Sequence, residues 1–172
     1  MPRVDLATAI RARRTHKQFG AEPLDEATVR ELLDLARCAP NHHLTQPWRF
    51  RLLGPATRAR LEAAVGGREA TKLQRAPTLL LATAKLSGDP LTDEEDLHAV
   101  ACAVYAVLLA ATARGLASYW RTPAALREPE PRHLLGLGED EHVVSLIHLG
   151  PRVTEPPAKD RRPLDEVLTV LP

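Results

Sequence analysis

Helices and strands alternate along this 172-residue chain, which predicts one α/β or α+β domain. Three observations carry that expectation. Thr78–Ala84 is short and continuously apolar, as a strand covered on both faces should be. Ala99–Ala113 is polar only at Thr112, follows Thr92 and Glu95 at capping-box spacing and ends before Gly115, so it reads as a buried helix. Val143–Leu149 is another apolar strand, closed by Gly150 and Pro151, and neither an internal repeat nor an interdomain linker interrupts the alternation.

The remaining elements follow in order. From Val4 to Arg14 the residues Val4, Leu6, Ala7, Ile10 and Ala12 fit a helical face, with positive charge gathering at the carboxyl end. Asp25 is a good N-cap, and Val29, Leu32, Leu33 and Ala36 recur at helical spacing until Pro40 stops the helix near Cys38. Asn41–Pro47 is a polar loop, and Trp48–Leu53 alternates Trp, Phe and Leu with Arg, the pattern of a half-buried strand. Pro55 opens a helix that runs to Val65 and is ended by Gly66-Gly67, and Arg68–Arg75 fits a further short helix. Beyond Gly115 come a strand at Leu116–Trp120, a loop rich in Pro and Arg, a short helix near Arg132–Leu135 and the last strand. The tail from Arg152 to Pro172 is interrupted by Pro156, Pro157 and Pro163; only Leu164–Leu171 could form structure of its own, and it has no core to lean on.

Composition narrows the function. With 44% apolar residues a chain of this size buries roughly two-thirds of its unfolded surface and needs neither disulfides nor a structural metal. The 23 Lys and Arg nearly cancel the 22 Asp and Glu, so the overall field gives no reason to expect nucleic acid or a membrane surface as partner. Aromatics are 3% of the chain, leaving Leu, Val and Ala to build the core. Cys38 and Cys102 lack metal-ligand spacing, and no signal-like apolar run opens the sequence, so a cytoplasmic protein with reduced, inert thiols is expected. The apolar stretch Ala99–Ala113 is shorter than the roughly 18 residues that argue for a membrane span.

Several clusters could carry chemistry. Arg13-Arg14-Thr15-His16-Lys17 sets cations and a hydroxyl at a helix end, where they could grip a phosphate or simply complement the negative end of the helix dipole. The segment from Ala39 to Phe50 is dense in hydrogen-bonding side chains and held between Pro40 and Pro47, as functional loops commonly are. His42 and His43 are adjacent and lack a third ligand at useful spacing, which argues against bound metal. Arg121 and Thr122 follow a strand end and Arg132 begins a helical pattern, so these could form a second anion contact or a solvated basic loop. The chain contains no Gly-x-Ser-x-Gly elbow, phosphate-binding Walker loop, dinucleotide glycine fingerprint or His-Glu-x-x-His.

Taken together, Arg13-Arg14-Thr15, Ala39-Pro40 through Gln46-Pro47-Trp48-Arg49-Phe50, Trp120-Arg121-Thr122 and Ile147-His148-Leu149-Gly150 resemble the nitroreductase family in order and spacing. Gln-Pro-Trp-Arg-Phe is the most specific piece, and the loop histidine resembles that of the short bacterial members. The resemblance implies an α+β fold with a central mixed β-sheet flanked by helices, assembled as an intertwined homodimer with FMN at the subunit interface. The tail 152–172 would then pack on the partner subunit.

By the same resemblance, Arg13, Arg14 and Thr15 would hold the flavin phosphate and ribityl chain, and Arg132 with the Arg121 loop would complete that site. His42 and Gln46 would reach the flavin from the other subunit, while Trp120, Arg121, Thr122 and Pro123 would lie along the isoalloxazine edge. The flavin would carry the chemistry: NADH or NADPH reduces it, and a small-molecule acceptor of nitroaromatic, quinone or similar electron-poor type reoxidises it in ping-pong turnover, with no catalytic side chain needed. The alternative is a protein that stores or carries FMN without turnover. Thr15 keeps the hydroxyl of the family's usual Ser, whereas Pro123 stands where many relatives have Gly and removes a donor and its φ freedom. The helical insertions that cover the pocket in larger relatives are missing, so an open, unselective pocket is expected.

Overall fold

A computed structural model describes residues 5–171; Val4, expected in the first helix, lies outside the described residues. The elements in chain order are α1 (Leu6–Ala12), α2 (Glu26–Ala36), β1 (Trp48–Leu52), α3 (Pro55–Val65), α4 (Gly67–Leu73), β2 (Thr78–Lys85), α5 (Pro90–Ala113), β3 (Leu116–Arg121), α6 (Pro129–Leu134) and β4 (Glu141–Pro151). Single 3-10 turns add His42–Leu44, Ala124–Arg127 and Leu164–Glu166.

The four strands form one sheet in the order β1-β2-β4-β3. All three pairings are antiparallel, so among the described residues the expected mixed sheet is corrected to an antiparallel one. β2 is central and has seven consecutive buried residues, since helices cover both its faces. On one face, Leu80, Ala82, Ile147 and Leu149 pack against Leu32 of α2 and Val100, Val104 and Val107 of α5. On the other, Leu79, Leu81 and Leu146 pack against Leu61 of α3, Leu73 of α4 and Leu126. The sheet register sets Leu81 opposite Leu146 and Leu80 opposite Ile147, then shifts at Ala82/Thr83, where Val144 is the extra residue of a bulge.

Local chemistry explains the boundaries. The Asp25 side chain accepts from Thr28 N–H and opens α2 as expected. α5 starts earlier than its apolar run suggests. Its N-cap is Asp89, which accepts from both the N–H and the hydroxyl of Thr92, so Thr92 sits inside the first turn rather than capping it. Gly115, at φ +72°, supplies the left-handed residue that ends α5 and lets β3 begin at once. β4 continues through Gly150 to Pro151 rather than ending before them, with Leu116 opposite Pro151. A Cβ on Gly150 would stand 2.8 Å from the Pro77 ring, so only glycine permits this approach.

α5 is long and apolar enough to cross a membrane by length and composition, but half of its most apolar window is buried in the fold. It is the core helix between sheet and surface.

Candidate functional site

The residues after α1 are pinned to the open edge of the sheet. Arg13 caps the helix with its own N–H, the chain then extends, and His16 N–H donates to the Ser118 carbonyl of β3 at 3.0 Å. His16 is buried, and desolvation pushes its imidazole pKa below the ordinary value. This fixes Arg13, Arg14 and Thr15 in the lining of a groove of about 1070 Å³, walled also by Tyr105 of α5 and by the tail residues Thr154 to Lys159 and Arg161.

Among the described residues six cations line this groove, namely Arg11, Arg13, Arg14, Lys17, Lys159 and Arg161, and the single carboxylate, Glu155, is paired with Arg152 at 2.9 Å. Arg14 turns back to donate to the carbonyls of Arg11 and Arg13, so it serves the helix end as the dipole reading holds. The Arg13 side chain makes no hydrogen bond or ion pair among the described residues, its backbone alone being engaged by Ala9 and Arg14, and Thr15 is exposed. A free guanidinium and a hydroxyl in a strongly cationic groove are the donor set an anionic phosphate requires. Lys159 and Arg161 were not singled out in the sequence; their signal is the basic run Lys159-Asp160-Arg161-Arg162 in an otherwise coreless tail.

The second cluster is the loop between α2 and β1. His43, Leu44 and Gln46 all have left-handed backbone, at φ 52°, 52° and 47°, and they are the only non-glycine residues to do so among the described residues. Such residues cost on the order of 1 kcal/mol or more each and persist only where the surroundings over-determine them. The surroundings here do. Gln46 N–H donates to Asn41 Oδ1 at 2.9 Å, and Arg49 donates to the Gln46 carbonyl at 3.1 Å. Thr45 Oγ1 donates to Asp96 Oδ1 at 2.5 Å, and His42 Nδ1 lies 2.8 Å from Glu95 Oε2, both acidic residues belonging to α5.

Trp120 is half-buried on the α5 face of β3. Arg121 faces the opposite side, where its buried guanidinium pairs with Glu69 of α4 at 2.8 Å. Thr122 is exposed and donates to the Val144 carbonyl at 3.2 Å. Pro123 is buried and starts the turn Ala124–Arg127, its carbonyl accepting from Leu126 N–H. Arg132 donates to the Gly138 and Glu141 carbonyls and so closes the turn before β4. Neither Arg121 nor Arg132 lines the groove of Arg13; within the chain, both are engaged by partners of their own.

Nor does one chain bring His42 and Gln46 to Arg13. His42 touches Glu95 and the groove touches Tyr105, ten residues further along α5, or about 15 Å along the helix axis.

With the fold and these clusters in place, the comparison with known proteins is direct. The model of the nitroreductase family matches residues 10–72 and 66–151, and the chain belongs to that family, among its short bacterial members. It is 27% identical over 180 residues to the provisionally named NAD(P)H nitroreductase YfhC of Bacillus subtilis, covering 95% of this chain and 93% of that protein. The crystal structure of a nitroreductase-like family protein from Bacillus cereus superposes with a TM-score of 0.89 at 23% identity, over 99% of this chain and 98% of the other, and shows the shared fold. A provisionally named nitroreductase from Desulfovibrio desulfuricans, crystallised in complex with FMN, matches at 25% identity and a TM-score of 0.79 over 97% and 96% of the two chains.

Proposed function

We propose that this protein is an FMN-dependent oxidoreductase that takes electrons from NADH or NADPH and passes them to nitroaromatic, quinone or similar electron-poor acceptors. The observation that carries the reading is the cationic groove in which Arg13 is unpaired beside the Thr15 hydroxyl. Arg13, Lys159 and Arg161 would neutralise the flavin phosphate, and Thr15 would bond it or the ribityl chain. Arg14 would add charge while still holding the end of α1. Bound there, FMN would supply two-electron transfer between nicotinamide and acceptor.

A second copy of the chain completes the reading. Leu6 and Ile10 of α1, Leu91 and Tyr105 of α5, and Leu164, Val167, Leu168, Val170 and Leu171 of the tail are all exposed apolar residues. A homodimer that covers them would let His42 and Gln46 of one copy approach the groove of the other, with Trp120 and Thr122 along its rim. Arg121 and Arg132 then act as scaffold, Arg121 through the pair of its Nη2 with Glu69, which leaves the buried Nη1 without a partner among the described residues, and Arg132 through the carbonyls of Gly138 and Glu141.

Steady-state kinetics test the proposal. Double-reciprocal plots of nicotinamide oxidation at several concentrations of a quinone should be parallel, because both substrates would use one site in turn. Protein that holds FMN but does not oxidise either nicotinamide would replace this reading with storage or carriage of the flavin.

A further inference from the structure

We propose that Glu95 positions His42 for contact with the ligand, and that the neighbouring Asp96 locks the same loop; this rests on the reading that His42 serves the groove of a second copy. Nδ1 of His42 lies 2.8 Å from Glu95 Oε2, so the carboxylate accepts Nδ1–H and selects that tautomer. The ring is also stacked on His43, with centroids 3.9 Å apart and planes at 25°. Nε2 has no hydrogen-bond partner among the described residues, and the side chain is 60% exposed. The one ring nitrogen left free is therefore presented to whatever covers this face.

An exposed His–Glu contact alone would carry little weight. Here it is one of two tethers from consecutive residues of a 24-residue helix, the other being the buried Asp96, 4% exposed, which accepts from Thr45. Both tethers fall on the loop that holds three non-glycine residues at positive φ. A relaxed loop needs no such fastening; one that must hold an imidazole at a fixed place does. Glu95 touches no ligand in this arrangement. It acts through His42, by setting which ring nitrogen carries the proton and where the other one faces.

Histidine-selective ¹⁵N spectra test this directly, with the His42 signal assigned by its loss in His42→Gln. In the native protein His42 should show the Nδ1–H tautomer, Glu95→Gln should largely keep it through the amide oxygen, and Glu95→Ala should revert toward Nε2–H. In turnover, Glu95→Ala should lower kcat on the order of tenfold, the scale of a misplaced contact group, with flavin content retained and Glu95→Gln recovering part of the loss. An unchanged tautomer in Glu95→Ala overturns the positioning role even if His42→Gln is impaired. Full activity in His42→Gln overturns instead the underlying reading that His42 serves the site.

Discussion

In β2 seven of eight residues are buried, whereas none of the residues from Arg152 to Leu171 is. Both regions carry leucine. The difference is that Leu79, Leu80 and Leu81 are sandwiched between helices of their own chain, while Leu164, Val167, Leu168, Val170 and Leu171 lie open on an extended segment with one 3-10 turn. Apolar side chains left in water forgo about 1.5–3 kcal/mol each relative to burial, so a proline-interrupted tail of this composition gains from finding a surface outside its own chain. The tail also carries Lys159 and Arg161 into the groove of Arg13, which links the region without a core to the region that would bind the cofactor.

The largest expected effect comes from removing the tail. A chain ending at Val153 should sediment as a monomer and lose bound FMN while keeping the far-ultraviolet circular dichroism of the sheet and α5. Retention of both dimer and flavin would erase the distinction between the two regions. The next test places one substitution in each. Leu81→Ala, in the fully buried centre of β2, should cost about 3 kcal/mol of unfolding free energy in denaturant titration. Leu168→Ala should cost the isolated subunit almost nothing and instead make Tm more dependent on protein concentration.

Within the groove, Arg13→Ala should weaken FMN binding by about 1.5–3 kcal/mol, the loss of a charge-assisted contact, as read by flavin fluorescence on titration. Affinity unchanged within error would remove the phosphate assignment from Arg13. The effect that is smallest at neutral pH is expected from His148, buried in β4 with neither ring nitrogen paired among the described residues and pushed down to about 3 by desolvation and by the nearby positive charges of Arg121, Arg58 and Arg75. Its folded-state pKa is depressed, so between about pH 6.5 and 3 the unfolded chain binds the extra proton and stability falls as the solution is acidified. His148→Leu should flatten that fall, measured as Tm against pH. Glu141, held down to about 2 chiefly by its hydrogen bonds from Arg51, loses its contribution only below about 4.5, so it accounts for the steeper acid end in both proteins.

The regular elements were legible because their signals are local. Asp25, Pro55, Gly66 and Gly115 sit where helices begin or end, and the short run Thr78–Ala84, with no charged residue, fits a strand covered on both faces. Less was legible where a residue's role depends on partners distant in sequence. Arg121 looked like a loop cation, but strand alternation turns it toward α4 and Glu69, 52 positions away. Arg132 looked like an anion ligand and is held by carbonyls of the turn that follows it. The left-handed backbone at His43, Leu44 and Gln46 left no trace in composition, because none of them is a glycine. The antiparallel order β1-β2-β4-β3 likewise arises from pairings that no spacing along the chain encodes.

The central claim is that FMN bound in the Arg13 groove is reduced by nicotinamide. An absorbance spectrum of the purified protein, taken anaerobically before and after addition of NADH and then NADPH, tests it most directly. The visible flavin band should be present, or restored by added FMN, and should bleach with at least one of the two donors. A colourless protein that FMN cannot reconstitute, or a flavin band that persists with both donors, would contradict it.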